Sequence, residues 1–201
     1  MSHSLTDLEL NNVLLDVRNA YRLLFLYQKR VLDLMKFIGN HYSLSYKGGW
    51  SKYSNSSPKN GKGSLDNWAW DWLNMYCYEF YFGNNKINED QVRFSIILQS
   101  DTGRWLSDCD KRDVNKFSTA EASKSKLFFL VGKNNKWEVD STIKEMSSNN
   151  DCYEIIDDED RKNIFVAKAY DLARFGNELE TRKILDDFLA FCKKHTINFT
   201  L

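Results

Sequence analysis

The sequence predicts an α+β fold, with a long N-terminal helix and a C-terminal helix packed on a mostly antiparallel sheet of four to five strands. Three observations predict it. Apolar residues recur at alternating steps of four and three from Leu10 to Ile38. Strict two-residue alternation takes over in the middle of the chain, and the helical period returns only near the end. No regular strand–helix alternation, the mark of a parallel sheet, is present.

The first helix opens on a Thr6-x-x-Glu9 capping box, and Gly39 is its expected stop. Leu10, Leu14, Val17, Tyr21, Leu24, Gln28, Val31, Met35 and Ile38 form a heptad seam with one polar interruption, Gln28. Leu15, Leu23, Phe25, Leu26 and Leu32 widen the apolar stripe beyond such a seam, so the helix is expected to pack on more than one neighbour. At 1.5 Å per residue it is a rod of roughly 50 Å. A domain of 201 residues has a radius of gyration of only about 16–17 Å. The rod must therefore span the molecule, bend, or project, and self-association into a homo-oligomer through it is expected.

Residues 41–64 are rich in Ser, Gly, Asn and Lys, contain the sole proline, Pro58, and are expected to form a long loop. Tyr42, Tyr46, Trp50 and Tyr53 interleave there with Lys47, Lys52, Lys59 and Lys62, without one acidic residue. Trp68, Trp70 and Trp72 follow in a tight cluster, expected in a turn or short helix.

Strands are expected at Met75–Phe82 and Val92–Gln99, paired as an antiparallel hairpin through a polar loop at Gly83–Gln91. Lys126–Val131 is a short apolar run ending at Gly132, Trp137–Val139 a weaker fourth strand, and Ile164–Leu172 the last strand. The closing helix runs from Leu179 to Lys194, with Asn177 and Glu180 as its cap pair and Lys193 and Lys194 at the negative end of its dipole.

Composition narrows the function. Lys plus Arg and Asp plus Glu each total 28, so the cationic excess of a general nucleic-acid binder is absent. The length suits one domain over residues 1–201. Cys77, Cys109, Cys152 and Cys192 are widely spaced, which suits free thiols in a reducing, cytoplasmic setting. No metal or cofactor site is expected. Met1 leads into polar and acidic residues, so no secretory leader is expected. The stretch Leu23–Phe37 is broken by Gln28, Lys29, Arg30, Asp33 and Lys36 and cannot span a membrane.

The candidate binding residues are Tyr46, Lys47, Trp50, Lys52 and Tyr53 of the basic aromatic loop, with Trp68 and Trp72 of the tryptophan cluster. Aromatic and cationic groups together suit a protein interface. The alternative is nucleic-acid or nucleotide binding, with bases on the rings and phosphates on the lysines. The same rings would equally anchor a long loop to the core. A second candidate is the sheet face carrying Glu79, Arg93, Ser95, Gln99 and Lys168, where an enzyme with a dispersed site around Glu79 and Arg93 is the further alternative. A one-sided sheet would turn those residues to water for solvation alone. Asp101-Thr102-Gly103 matches the aspartic-protease triplet but reads as a turn. No nucleophile elbow, P-loop or dinucleotide fingerprint occurs. The expected function is a non-catalytic interaction protein, of accessory, inhibitor or immunity type, that docks a protein partner through residues 41–72 or the first helix.

Overall fold

The computed structural model describes residues 6–52, 75–104, 114–134, 136–148, 151–156 and 162–198. The α+β class holds. Helix α1 spans Asp7–His41, α2 Asp140–Ser148 and α3 Glu178–Lys194. The strands are β1 Gly48–Ser51, β2 Cys77–Ile87, β3 Asp90–Gln99, β4 Lys126–Lys133, β5 Cys152–Ile156 and β6 Ile164–Asp171. They form one antiparallel sheet in the order β1-β2-β3-β4-β6-β5. The described residues thus hold six strands rather than four or five.

The capping box at α1 is complete. Thr6 Oγ1 accepts from the Glu9 N–H at 3.3 Å, and the Glu9 carboxylate accepts from the Thr6 N–H at 2.7 Å. The helix runs past Gly39 to His41, where the Tyr42 N–H closes the last turn on the Ile38 carbonyl. Only its second half meets the body. Val31, Leu34, Met35 and Ile38 are buried, whereas every residue from Thr6 to Leu23 is exposed.

On the face toward α1 and α3 the sheet presents Phe80, Phe82, Phe94, Ile96, Leu127 and Phe129, packed against Ile38 of α1 and Leu185 and Phe188 of α3. The Tyr42 hydroxyl donates to the Leu185 carbonyl at 2.9 Å and fastens α1 to α3. The alternation in β3 is as expected: Val92, Phe94, Ile96 and Leu98 share this face and Ile97 the other.

The other face is not turned to water. Cys77, Ile97, Phe128, Leu130, Phe165 and Ala167 lie beneath Val139, Ile143 and Met146, with Trp137 at the rim. The short helix α2 is the covering layer, held by Lys126, whose Nζ donates to the Met146 carbonyl at 3.2 Å and also reaches Asp151. The continuous apolar run of β4 is explained by burial on both faces.

Three further expectations are corrected. The hairpin turn is Asn88–Glu89, because Asn88 accepts the left-handed conformation (φ 56°) that a tight turn demands. Trp137–Val139 is no strand; it leads into α2. Residues 41–64 are not loop throughout, since they supply edge strand β1.

Lys168 sits apart from Glu79, on the helix face, where its Nζ donates to Asp187 Oδ2 at 2.7 Å beside the Tyr170 hydroxyl, also 2.7 Å from that oxygen. Burial pushes the Asp187 carboxyl up, but the hydrogen bonds from Lys168 and Tyr170 and the Lys168 charge outweigh it and hold the group below its ordinary 3.8. A carboxylate depressed in the folded state adds stability above its unfolded value, and that stability is lost as pH falls through the folded one. Urea unfolding midpoints should therefore drop between about pH 5 and about pH 3, and Asp187→Asn should shrink the drop. An unchanged drop in that variant would remove Asp187 as a cause.

The α3 cap is as expected, with the Glu180 N–H donating to Asn177 Oδ1 at 2.9 Å. Cys77, Cys152 and Cys192 form no disulfide among the described residues. No described helix is long and apolar enough to cross a membrane.

Candidate functional site: an aromatic–arginine ladder over a buried glutamate

Strand β1 joins the sheet beside β2 in a register that sets Trp50 opposite Glu79 and Gly48 opposite Tyr81. On the other side of β2, Tyr81 lies opposite Ser95, and Arg93 lies opposite Gly132 of β4. Trp50, Lys52, Glu79, Tyr81, Arg93 and Ser95 thus project from one face of three adjacent strands. Two glycines permit the arrangement. A Cβ at Gly49 would lie 2.6 Å from the Glu79 carbonyl oxygen, so only glycine lets β1 press this close to β2. A Cβ at Gly132 would meet the Lys136 carbonyl and lie 2.9 Å from the Trp137 ring. Its absence leaves the slot in which Trp137 folds back over Arg93.

Glu79 is the centre of the cluster and only 1% exposed. Its Oε1 accepts from Ser95 Oγ at 2.7 Å, and its Oε2 accepts from Lys52 Nζ at 3.4 Å. An Arg93 terminal nitrogen stands 3.9 Å from Oε1, and Lys52 is also 3.9 Å from Asp140 at the start of α2. Two cations are thereby balanced by two carboxylates, and the ion pair from Lys52 ties the edge strand to its neighbour.

Above Glu79 runs a ladder of flat groups. The Arg93 guanidinium lies 4.0 Å from the Trp137 ring centre and 5.2 Å from that of Tyr81. Tyr81 in turn stands 6.1 Å from Trp50, tilted by 53°. Trp50 is 42% exposed, and Tyr81, Arg93 and Trp137 are half-buried. A recess of about 100 Å3 opens beside the ladder, lined by Asn84, Gln91, Arg93, Gly132, Lys136 and Trp137. Arg93 Nε is buried there without a hydrogen-bond partner among the described residues. Chemically, the site offers two large aromatic faces, a planar cation and a polar rim. Its carboxylate is enclosed and already accepts two hydrogen bonds.

The seven residues expected from sequence divide. Trp50 and Lys52 belong to the ladder. Tyr46 and Lys47 do not. Tyr46 packs near Phe80 and Phe82 on the helix side, at the mouth of an apolar groove of about 370 Å3 between α1 and β2. Desolvation, helped by the neighbouring Tyr78, pushes its hydroxyl up to about 12. Lys47 is exposed beside Gly83. Tyr53, Trp68 and Trp72 lie outside the described residues, as does Cys109. The second sequence candidate, Glu79 with Arg93 and Ser95, proves to be the same place as Trp50 and Lys52, while Lys168 is excluded from it. Tyr81 and Trp137 were not among the sequence candidates, and only the strand register brings them in. Asp101 is a turn residue, its Oδ1 accepting from the Gly103 N–H at 2.7 Å. Among the described residues, no three or more His, Cys, Asp or Glu are grouped to hold a metal ion.

No solved structure matches this chain. A Pasteurella multocida (strain Pm70) protein named "Uncharacterized protein PM0109" is 52% identical over 46 residues, which are 23% of this chain. The match spans about a fifth (21%) of that relative's length. The family model described as PM0109 matches residues 7–198, and that span includes every helix and strand described above. The chain belongs to the PM0109 family.

Proposed function

We propose that this chain is a cytoplasmic, non-catalytic interaction protein that docks a protein partner on the face carrying Trp50, Tyr81, Arg93 and Trp137. The observation that supports it is the ladder itself. Trp, Tyr and Arg are the side chains that dominate binding energy at protein interfaces. Here Arg93 lies over the Tyr81 and Trp137 rings, Trp50 leans on Tyr81, and a buried carboxylate stands beside the arginine. Groups already fixed in place lose little rotamer freedom on binding, which favours affinity. The catalytic reading is weakened by the enclosure of Glu79, whose oxygens accept from Ser95 and Lys52 rather than facing a substrate. The nucleic-acid reading is weakened because Lys52 is engaged with Glu79 and Asp140.

The test is affinity capture with the full chain at low and high salt, analysing protein and nucleic acid in the eluate. A stoichiometric protein retained at high salt, and lost with Arg93→Ala bait, is the expected result. Nucleic acid released by salt would replace this reading with the alternative.

A further inference from the structure

The N-terminal half of α1 is an arm whose apolar side nothing among the described residues covers. The helix is fastened from Tyr27 onward, by the Tyr27 hydroxyl 2.8 Å from Ser100 Oγ and by Arg30 donating to the Phe175 carbonyl at 2.8 Å. Residues 7–23 stand free of it and are exposed throughout. At 1.5 Å per residue the arm is about 25 Å long. Leu10, Val13, Leu14, Val17, Ala20 and Tyr21 line one side of it, continuing the seam that Val31, Met35 and Ile38 bury further along. Leu10, Val13, Leu14 and Val17 are 42–47% exposed and Tyr21 is 70% exposed. A helix this short and solvated is marginal alone in water, and an apolar stripe of this extent marks a contact surface.

Charge identifies the occupant. Residues 7–16 carry Asp7, Glu9 and Asp16 and no cation, whereas residues 17–30 carry Arg18, Arg22, Lys29 and Arg30 and no anion. The arm is thus a charge dipole, acidic at the tip and basic at the base. A parallel copy would set like charge beside like. An antiparallel copy sets each acidic tip beside the other's basic base and also opposes the two helix dipoles. We propose that the arm pairs with the same arm of a second copy, antiparallel, to form a homodimer. The register follows from the seam, because antiparallel pairing sets one seam position opposite the other kind. It places Leu10 opposite Tyr21 and Leu14 opposite Val17, with the dyad between Leu15 and Asp16. That point is the middle of the free segment. Each tip then ends level with Leu24 of the other copy, where the partner helix begins to meet its own body. The two bodies sit at opposite ends of a shared rod and do not collide. The dimer is independent of the ladder, so either can fail alone.

The test is sedimentation of the purified full chain from about 1 to about 100 µM, the range in which interfaces of modest area associate. The expected result is a rise in mass from 23.7 kDa toward twice that value. Leu14→Glu with Val17→Glu, both on the exposed arm, should stay monomeric with unchanged circular dichroism from the sheet. Orientation is read by oxidising variants with one added cysteine each, in a background with Cys109 and Cys152 replaced by serine and the buried Cys77 and Cys192 kept. Leu10→Cys should form a disulfide with Tyr21→Cys and not with itself. A monomer at every concentration, a dimer indifferent to the two glutamates, or Leu10→Cys linking to itself would each overturn the proposal.

Discussion

Phe129→Ala is expected to cost about 4 kcal/mol, the usual range for a fully buried phenylalanine being about 3–5 kcal/mol. Phe129 is 0% exposed and sits at the centre of the helix-side core. Its ring lies 5.1 Å from Phe188 of α3, 5.4 Å from Tyr170, 6.1 Å from Phe175 and 6.2 Å from Phe94. Four rings from three separate parts of the chain therefore face the cavity that truncation leaves, and rings held by their own neighbours collapse poorly into it. Against a typical domain stability of about 5–15 kcal/mol the loss is a large fraction. The measurement is the urea midpoint, which should fall sharply with the slope unchanged. Phe129→Leu, which keeps most of the volume, should cost less than half as much. A midpoint that barely moves in the alanine variant would show that the aromatic cluster is not the main fastening between α3 and the sheet.

Glu79→Ala is expected to cost about 3 kcal/mol, toward the lower end of what breaking a buried ion pair costs, because Lys52 and Arg93 keep partial access to water. The carboxylate is the acceptor for Ser95 and the counter-charge for both cations. Without it the Ser95 hydroxyl is buried without this acceptor, Arg93 loses this counter-charge, and Lys52 keeps only its 3.9 Å contact with Asp140. Edge strand β1 should loosen most, since Lys52 is its ionic tie to β2. Hydrogen exchange at residues 48–52 should therefore accelerate well beyond the change at β4. Glu79→Gln retains an oxygen for Ser95 and should lose roughly half as much. If the alanine variant were as stable as the parent, with β1 equally protected, Glu79 would be no anchor for the edge.

Much of this architecture is legible in the sequence, and the reasons for the rest are physical. The caps at Thr6–Glu9 and Asn177–Glu180 rest on local chemistry and are found where expected. The rod of α1 was too long for the body, and it projects. The missed strands share one cause, short length without a readable alternation. β1 is four residues with two glycines at its start, and those glycines, which suggest a loop, are what allow the close approach to β2. Helix α2 spans nine residues rich in Ser and Thr, and Ile143 and Met146 supply too little apolar signal to declare a second covering layer. That omission made the Glu79 face look solvated. The ladder was half visible, since Trp50 and Lys52 were expected in one site and Glu79 and Arg93 in another. Joining them requires the register of β1 on β2 and the vacancy at Gly132, which only tertiary structure provides.

Docking on the ladder is measured most directly by a paired titration of the captured partner against the parent chain, Trp50→Ala and Tyr46→Ala. The two aromatics lie four residues apart in sequence but on opposite faces of the sheet edge. Docking on the ladder predicts that Trp50→Ala weakens binding at least about thirtyfold, the effect of losing an interface hot spot, while Tyr46→Ala leaves it within about threefold. The reverse pattern, or equal indifference to both, would contradict a binding face built on Trp50, Tyr81, Arg93 and Trp137.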